Sequence, residues 1–400
     1  MKRSICLILC LCMLLCLLGC SQFPAPTNTP ITAATTVPET TTATQLVQTE
    51  QEQEASAVYD APMASVALPL TVETEKNDGK TIAYYTHQDI SVTLPDADVA
   101  QAVTLDLLNR IDQTRDAAET LFETARSDYS GQDSWYPYSY AITYTPMRFD
   151  QNVLSLFGTE ISFNGSPRSV HNAISANYDL TTGEPLTLRG ILHEENFADA
   201  LCDLILNGLT TDKDTLFSDY ESIIRDKFFT NVPVDSWYFS DTGLCFYFAP
   251  YEIAAYSAGT VVSEIPYELL SGLLKDTYFP AEKLTYSGTI LAQTVTDTAV
   301  LDAYAQFAEV TLGDGEQKLL ITTDGSVSNV YLHYATGNAE SGVTDAVILT
   351  LPGMGPKDAI LAELSADFPL ENLSISFNSY GQAQTLKLVR NADGTLTFSK

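Results

Sequence analysis

The sequence predicts an α+β protein, antiparallel sheets with packed helices followed by a mainly β C-terminal domain, and three observations carry that prediction. One long segment, Val99 to Ala125, repeats apolar residues every three or four positions, the period of a helix lying on a sheet. After it come Tyr- and Val-rich runs, Tyr138 to Tyr144 and Val153 to Phe157, with strand composition and a turn-sized gap between them. From about Leu284 onward the apolar runs are short and punctuated by turns such as Asp324-Gly325 and Asp393-Gly394. A chain of 400 residues has room for two or three domains, and 45% hydrophobic and 10% aromatic residues suffice to build cores.

Taken from the start, Lys2 and Arg3 precede an apolar run from Ile5 to Leu18, which ends in Leu17-Leu18-Gly19-Cys20. This resembles a bacterial lipoprotein signal with its lipobox, and implies a signal peptide over residues 1–19 and lipidation of Cys20. Two acyl chains would anchor the protein stably to the outer face of the cytoplasmic membrane, an extracytoplasmic address. The apolar run is short for a transmembrane helix of about 20 residues. Cleavage would remove Lys2 and Arg3, taking the net charge from −31 to −33, and would remove four cysteines with the signal. Cys202 and Cys245 then remain besides Cys20; their apolar surroundings favour two buried free thiols, although an export compartment permits a disulfide.

Residues 20–65 contain the lipidated cysteine and a Thr/Pro-rich stretch with few large apolar side chains, expected to be a disordered tether. A coil of that length reaches roughly 30 to 40 Å. Residues 66–280 form the expected α+β module, its N-terminal part running to about 165 and its C-terminal part from 166 to 280. In order, it contains strands at Lys80 to Tyr85 and Ile90 to Leu94, a helix start at Pro95-Asp96-Ala97-Asp98, and one long helix. Arg148 to Asn152 then connects the two Tyr- and Val-rich strands. A strand near Ala173 to Leu180 leads into the turn Thr181-Thr182-Gly183, and helices follow at Glu195 to Asn207 and Tyr220 to Phe229. Ser236 to Ser240, Asp241-Thr242-Gly243 and Leu244 to Phe248 have the pattern of an antiparallel hairpin. Residues 285–400 are expected as a separate, mainly β domain of unknown function. Its strands are Lys318 to Thr323, Val330 to Tyr334, Ala346 to Leu351, Leu373 to Phe377, Thr385 to Val389 and Thr395 to Phe398, with one helix near Pro356 to Ser365.

The charge balance, 20 Lys+Arg against 51 Asp+Glu, argues against nucleic acid and anionic lipid as partners, since both need a positive surface. Chemistry-bearing motifs are incomplete. Asp241-Thr242-Gly243 matches the aspartic-protease triplet, but that chemistry needs two carboxylates sharing a proton, and one triplet is present. His193-Glu194 opens like a zinc-protease helix, yet Phe197 stands where the second histidine ligand belongs. The four histidines, His87, His171, His193 and His333, are scattered, and no serine is framed as Gly-x-Ser-x-Gly. Asp212, Asp214 and Asp219, and Asp314 with Glu316, lack the spacing of a calcium loop. No catalytic residue, metal site or cofactor is therefore expected, and the chain is expected not to be an enzyme; a carboxylate pair suited to glycoside hydrolysis cannot be selected by sequence.

Two segments carry a further resemblance: Asn177-Tyr178-Asp179-Leu180-Thr181-Thr182-Gly183-Glu184-Pro185-Leu186, and Phe246-Tyr247-Phe248-Ala249-Pro250-Tyr251-Glu252-Ile253 with Ile265-Pro266-Tyr267 downstream. Over residues 66 to 275 the chain is similar to the extracytoplasmic domain of RsiV-like anti-sigma factors, which also occurs in lipoproteins and beside peptidoglycan deacetylase domains. It departs from the family at Asn164 to His171, where Gly-Gly-Ala-His is frequent, and at Ala255, where Pro is common. The resemblance implies a surface lipoprotein that binds or senses an extracellular partner, lysozyme or another cationic protein. The alternative it implies is a peptidoglycan enzyme or a carbohydrate-binding accessory. The loop residues Pro250, Tyr251, Glu252 and Tyr256 are the candidate contacts, because stiff aromatic and Pro side chains lose little entropy on binding and Glu252 suits a cationic surface.

Overall fold

The computed structural model describes residues 63–193, 198–230, 235–281, 286–335 and 345–400. The expected signal peptide, Cys20 and nearly all of the expected tether lie outside the described residues. The protein is α+β, and no helix among the described residues is long and apolar enough to cross a membrane.

The chain begins with β1 (Ser65–Ala67), β2 (Leu70–Asn77), β3 (Lys80–Gln88) and β4 (Ser91–Thr93), followed by α1 (Ala97–Asp112) and α2 (Arg115–Asp128). Three long strands follow: β5 (Tyr138–Phe149), β6 (Val153–Phe163) and β7 (Val170–Asp179). They form a five-stranded sheet in the order β2-β3-β5-β6-β7, antiparallel except where β3 and β5 run parallel. A parallel pair needs a crossover, and the two helices supply it. The expected single helix is broken at Gln113–Thr114: a straight helix from Ala97 to Asp128 would run about 48 Å, longer than a 12-residue strand at about 40 Å. Thr114 marks the break, donating from Oγ1 to the Ile111 carbonyl at 2.7 Å and lying 2.9 Å from the Tyr85 hydroxyl. Val103, Leu107 and Ile111 of α1 and Ala118, Phe122 and Ala125 of α2 thus all reach one core with Tyr85, Tyr140 and Leu156. Asp96 caps α1, its carboxylate accepting from the Asp98 and Val99 amides.

The C-terminal part of this module comprises α3 (Leu188–Ile191), α4 (Ala198–Asn207), α5 (Tyr220–Thr230), β8 (Trp237–Phe239), β9 (Gly243–Phe248) and β10 (Val261–Pro266). The last three make an antiparallel sheet with β9 in the middle. Every residue of β9 is buried, because both faces are covered. Trp237, Phe239, Leu244, Phe246 and Phe248 face the helices, against Leu201, Ile205, Ile224 and Phe228. Tyr238, Cys245 and Tyr247 face Met147 and Phe157 of the larger sheet. Cys202 belongs to the first cluster and Cys245 to the second, so the two thiols sit in different cores; both are free and buried. A buried polar link also joins the sheets. Ser155 donates to Asn177 at 2.6 Å and accepts from the Phe239 amide at 2.8 Å, while the Asn177 amide donates to the Trp237 carbonyl at 3.0 Å. These bonds occupy backbone groups that edge strand β8 would otherwise leave unpaired.

The remaining strands are β11 (Ile290–Thr294), β12 (Gln306–Leu312), β13 (Gln317–Thr323), β14 (Val327–Tyr334), β15 (Ala346–Met354), β16 (Asp358–Leu364), β17 (Leu373–Ser379), β18 (Gln382–Arg390) and β19 (Leu396–Ser399). Two sheets, β11-β13-β16-β12 and β19-β18-β17-β14-β15-β1-β4, close on one core that includes Leu319, Ile321, Ile360, Leu332, Leu351 and Phe377. The expected helix at Pro356 to Ser365 is corrected to strand β16. Its Ala, Leu and Glu favour a helix locally, but the segment lies between β12 and β13, with Ile360, Ala362 and Leu364 facing the sandwich core and Ala359 and Leu361 facing a smaller cluster. β1 and β4 complete the seven-stranded sheet from the opposite end of the chain, Val66 pairing with Thr350 and with Val92. The sheet therefore crosses the sequence position at which a second domain was expected to begin.

One buried cation holds the C-terminal part of the module to the five-stranded sheet. Arg148, 2% exposed at the end of β5, donates from Nε to Asp150 Oδ2 at 2.6 Å. Its Nη1 reaches the Tyr267 hydroxyl at 2.9 Å and the Tyr278 carbonyl at 2.5 Å. The guanidinium also lies 5.2 Å from the Phe239 ring centre and 5.5 Å from that of Tyr267. Asp150 is saturated in turn by the Asn152 and Val153 amides, which close the β5–β6 hairpin.

Replacing Arg148 with Ala takes the cation from half-buried Asp150 and the donor from the buried Tyr267 hydroxyl and the Tyr278 carbonyl, and should cost about 3 kcal/mol in urea unfolding. Arg148→Lys should recover less than half of the loss, since one ammonium cannot span three acceptors in the guanidinium's plane; a loss below about 1 kcal/mol would show that the cation is not the pin. A second prediction concerns Asp106, which accepts from Arg110 at 2.7 Å and from the Tyr178 hydroxyl at 2.7 Å. Partial burial acts to raise this carboxyl, but those two hydrogen bonds and the Arg110 charge outweigh it and hold it below its ordinary value. The stabilisation is thus complete above the unfolded value of about 3.9 and is lost as pH falls through the lower folded value. Thermal melts should show Asp106→Asn less stable than wild type near pH 6, with the gap closing by pH 2.

Candidate binding site

The segment after β9 folds as its residues dictate. Pro250 fixes its own φ, and the next residue, Tyr251, is forced to φ +70° to complete the turn. Glu252 closes that turn, its amide donating to the Ala249 carbonyl at 3.0 Å and its carboxylate accepting from the Ala249 amide at 2.8 Å. Ile253 and Ala254 then drop into the helix-side core, and the Ile253 carbonyl accepts from the Phe217 amide at 2.9 Å. The loop is anchored in its middle, which lifts its two aromatic residues to either side.

Tyr251 is 61% exposed. Tyr256 is half-buried, its hydroxyl donating to the Ser169 carbonyl at 2.6 Å and its ring 5.4 Å from that of Tyr251. Arg168 lies over the outer side of this pair, 5.5 Å from the Tyr256 ring centre, and the neighbouring Val170 is exposed. Pro250 is half-buried. Glu252 is engaged within the fold, with Lys227 Nζ 2.6 Å from Oε1 and lying over the Phe248 ring at 5.0 Å. The four candidate contacts therefore separate: Tyr251 faces outward beside half-buried Tyr256, and Glu252 is already neutralised. Arg168 belongs to the segment Asn164 to His171, where the sequence departs from the resembled family, and it joins the patch because the loop before β7 passes beside Tyr256.

The motifs weighed for catalysis take structural places. Asp241-Thr242-Gly243 is the β8–β9 turn, where the Ser240 hydroxyl accepts from the Thr242 and Gly243 amides. Gly243 is required there, since a Cβ would stand 2.2 Å from the Ile265 carbonyl oxygen. Asp241 accepts from Asn329 Nδ2 at 2.8 Å, tying the turn to β14. Asp212 and Asp314 accept from the amides two residues on, at Asp214 and Glu316. The His193 amide donates to the Leu273 carbonyl, and His333 lies 2.7 Å from the Ser376 hydroxyl. Among the described residues no three His, Cys, Asp or Glu side chains are placed to hold a metal ion. Burial pushes both thiols, Cys202 and Cys245, up to about 11.

A cleft of about 830 Å³ opens beside Arg148, between the β5–β6 hairpin and the ends of β14, β15 and β17. Arg148, Asp150, Asn152, Asp241, Asn329 and Asn378 are among its lining residues. A sequence signal for its floor exists in Met147-Arg148-Phe149-Asp150: a cation inside an apolar strand with a carboxylate two residues on marks a buried pair rather than a plain connection.

A family model described as a protein of unknown function, DUF3298, matches residues 191–268. No curated protein matches the chain. Among solved structures, a DUF3298 family member from Bacteroides fragilis aligns at 19% identity and a TM-score of 0.39, over 54% of this chain and 94% of its own. A DUF3298 family protein from Pseudomonas aeruginosa aligns at 17% identity and a TM-score of 0.39, over 56% of this chain and 99% of its own. The helices α4 and α5, the β8–β10 sheet and the aromatic loop all fall inside the matched segment: residues 191–268 are a DUF3298 domain.

Proposed function

We propose that this chain is a non-enzymatic surface lipoprotein, anchored through Cys20, whose DUF3298 domain presents Tyr251 and Tyr256 to an extracellular protein. The observation that carries this reading is Tyr251 itself, an aromatic residue held at φ +70° with most of its ring in water. A left-handed backbone costs a non-glycine residue about 1 to 2 kcal/mol. Glycine would remove that cost, so a tyrosine there is worth its strain if the ring has work to do outside the fold. The stiff frame under it, from Ile253 in the core to the Tyr256–Ser169 hydrogen bond, lets the ring be buried by a partner with little loss of freedom.

The partner class follows from charge. A chain at −33 once Lys2 and Arg3 leave with the signal steers cationic proteins toward itself, over a screening length of about 8 Å at physiological ionic strength. Because Glu252 is paired with Lys227 and Arg168 covers Tyr256, the attraction would come from the surrounding acidic surface rather than from the loop. Animal-type lysozyme, strongly basic and the partner implied by the RsiV-like resemblance, is the concrete candidate. The non-enzymatic half of the reading is supported by the structural roles of Asp241, Asp212 and Asp314 and by two thiols too weakly acidic to act as nucleophiles.

Calorimetric titration of residues 58–400 with animal-type lysozyme, at low and physiological salt, tests this. Binding should survive physiological salt and weaken at least about tenfold in Tyr251→Gly, the loss expected of an interface hot spot. The same variant should melt no lower than wild type, because the substitution relieves the backbone. Absence of binding, or binding that disappears with salt and ignores the Tyr251 and Tyr256 variants, would sink the proposal.

A further inference from the structure

The cleft beside Arg148 is distinct from the aromatic loop, and all but Asp241 of its lining residues named above lie outside the matched segment 191–268. We infer that it is a second binding site, shaped for a neutral oligosaccharide. At about 830 Å³ it is within the usual size of small-molecule sites, and it lies between the β5–β6 hairpin and the strand ends of the sandwich.

The charges on its walls select against anions. The charged lining residues are Arg148, Asp96, Asp150 and Asp241, and Arg148 is matched by Asp150. What remains is acidic, so a phosphate or carboxylate ligand would be repelled. The carboxylates are also poorly placed for a cation. Asp150 accepts from Arg148 and from two backbone amides, Asp96 Oδ1 caps α1, and Asp241 is held by Asn329. A ligand that must itself supply both donors and acceptors without charge fits better, and a polyhydroxyl chain does that.

The amide groups complete the match. Asn152 donates to the Thr277 carbonyl and Asn329 donates to Asp241, which leaves each amide oxygen as an acceptor. Ser328 and Asn378 are register partners on β14 and β17, and their side chains have no intramolecular hydrogen bond among the described residues. Arg148 Nη2 lies 2.6 Å from Asp150 Oδ2, yet off the line a hydrogen bond needs, and it has no other partner among the described residues. Pro280 and Pro352, both half-buried, supply apolar surface for the C–H faces of a sugar ring.

Backbone strain converges on the same wall. Asn329 holds φ +49° where the β14–β17 register shifts, and it faces Pro352 across β15 without a ladder pair. Such irregularities commonly re-aim a side chain toward a site, and here the shift turns the Asn329 amide onto Asp241 at the cleft.

The test is a calorimetric and NMR titration of the same chain with maltotriose and with triacetylchitotriose, alongside spermine and citrate as charged controls. At least one neutral trisaccharide should bind, and its amide shift changes in the unmutated chain should map to Ser328–Asn329 and Asn378–Ser379. Asn378→Leu should weaken binding at least tenfold, and so should Asn329→Gly, which keeps the left-handed backbone while removing the amide. Tyr251→Gly should leave it unchanged. Failure of both trisaccharides to bind, shift changes elsewhere, or binding confined to spermine or citrate would each overturn the inference.

Discussion

Arg148 is a cation enclosed by aromatic rings, and the expense of keeping it there shapes its surroundings. A guanidinium out of water is costly unless it is paired and hydrogen-bonded, so the fold gathers Asp150, the Tyr267 hydroxyl and the Tyr278 carbonyl around its Nε and Nη1. Those acceptors come from different stretches of chain. Asp150 belongs to the β5–β6 hairpin, Tyr267 follows β10, and Tyr278 lies beyond the matched domain. Tyr267 then donates to the Ser240 carbonyl at 2.8 Å, at the β8–β9 turn. Satisfying one buried charge thereby fixes the DUF3298 domain against the five-stranded sheet. Asp241 in the same turn carries the connection on to Asn329 of the sandwich.

The elements that could be read from sequence were those whose local pattern and tertiary setting agree. The β8–β9 hairpin announces itself by an aromatic run, a glycine turn and a second aromatic run, and α5 by its spacing. Disagreement explains the misreadings. Ala359 to Leu364 has helix-forming residues, yet it is enclosed by strands on both sides, and burial on two faces overrides propensity. The break at Thr114 has no glycine or proline to signal it, because its cause is the length of the sheet beneath. β1 could not be seen at all: three residues have no periodicity, and their partners on β15 are nearly three hundred positions away.

The candidate sites divide along the same line. Tyr251 and Tyr256 stood out because aromatic residues and proline in a loop are conspicuous in one dimension. That Glu252 is spoken for by Lys227 is a fact about α5, twenty-five positions upstream. The cleft is less legible still, since Asn152, Asn329 and Asn378 come from separate hairpins and no spacing relates them. Only the Arg-x-Asp pair at its floor leaves a trace in the sequence, and that trace speaks of burial before it speaks of binding.

The two proposed sites sit on one rigid frame, and this constrains what ligands there can do. A ligand shifts an equilibrium only to the extent that it binds two states differently. Between cleft and loop lie the Arg148 cluster, the Ser155–Asn177 link and the fully buried strand β9, none of which offers a second packing without leaving polar groups unpaired. Movement at one site would therefore have to break buried hydrogen bonds to be felt at the other. The structure favours independent occupation, in which each site holds its own ligand on a fixed scaffold, over a switch in which one ligand calls or dismisses the other.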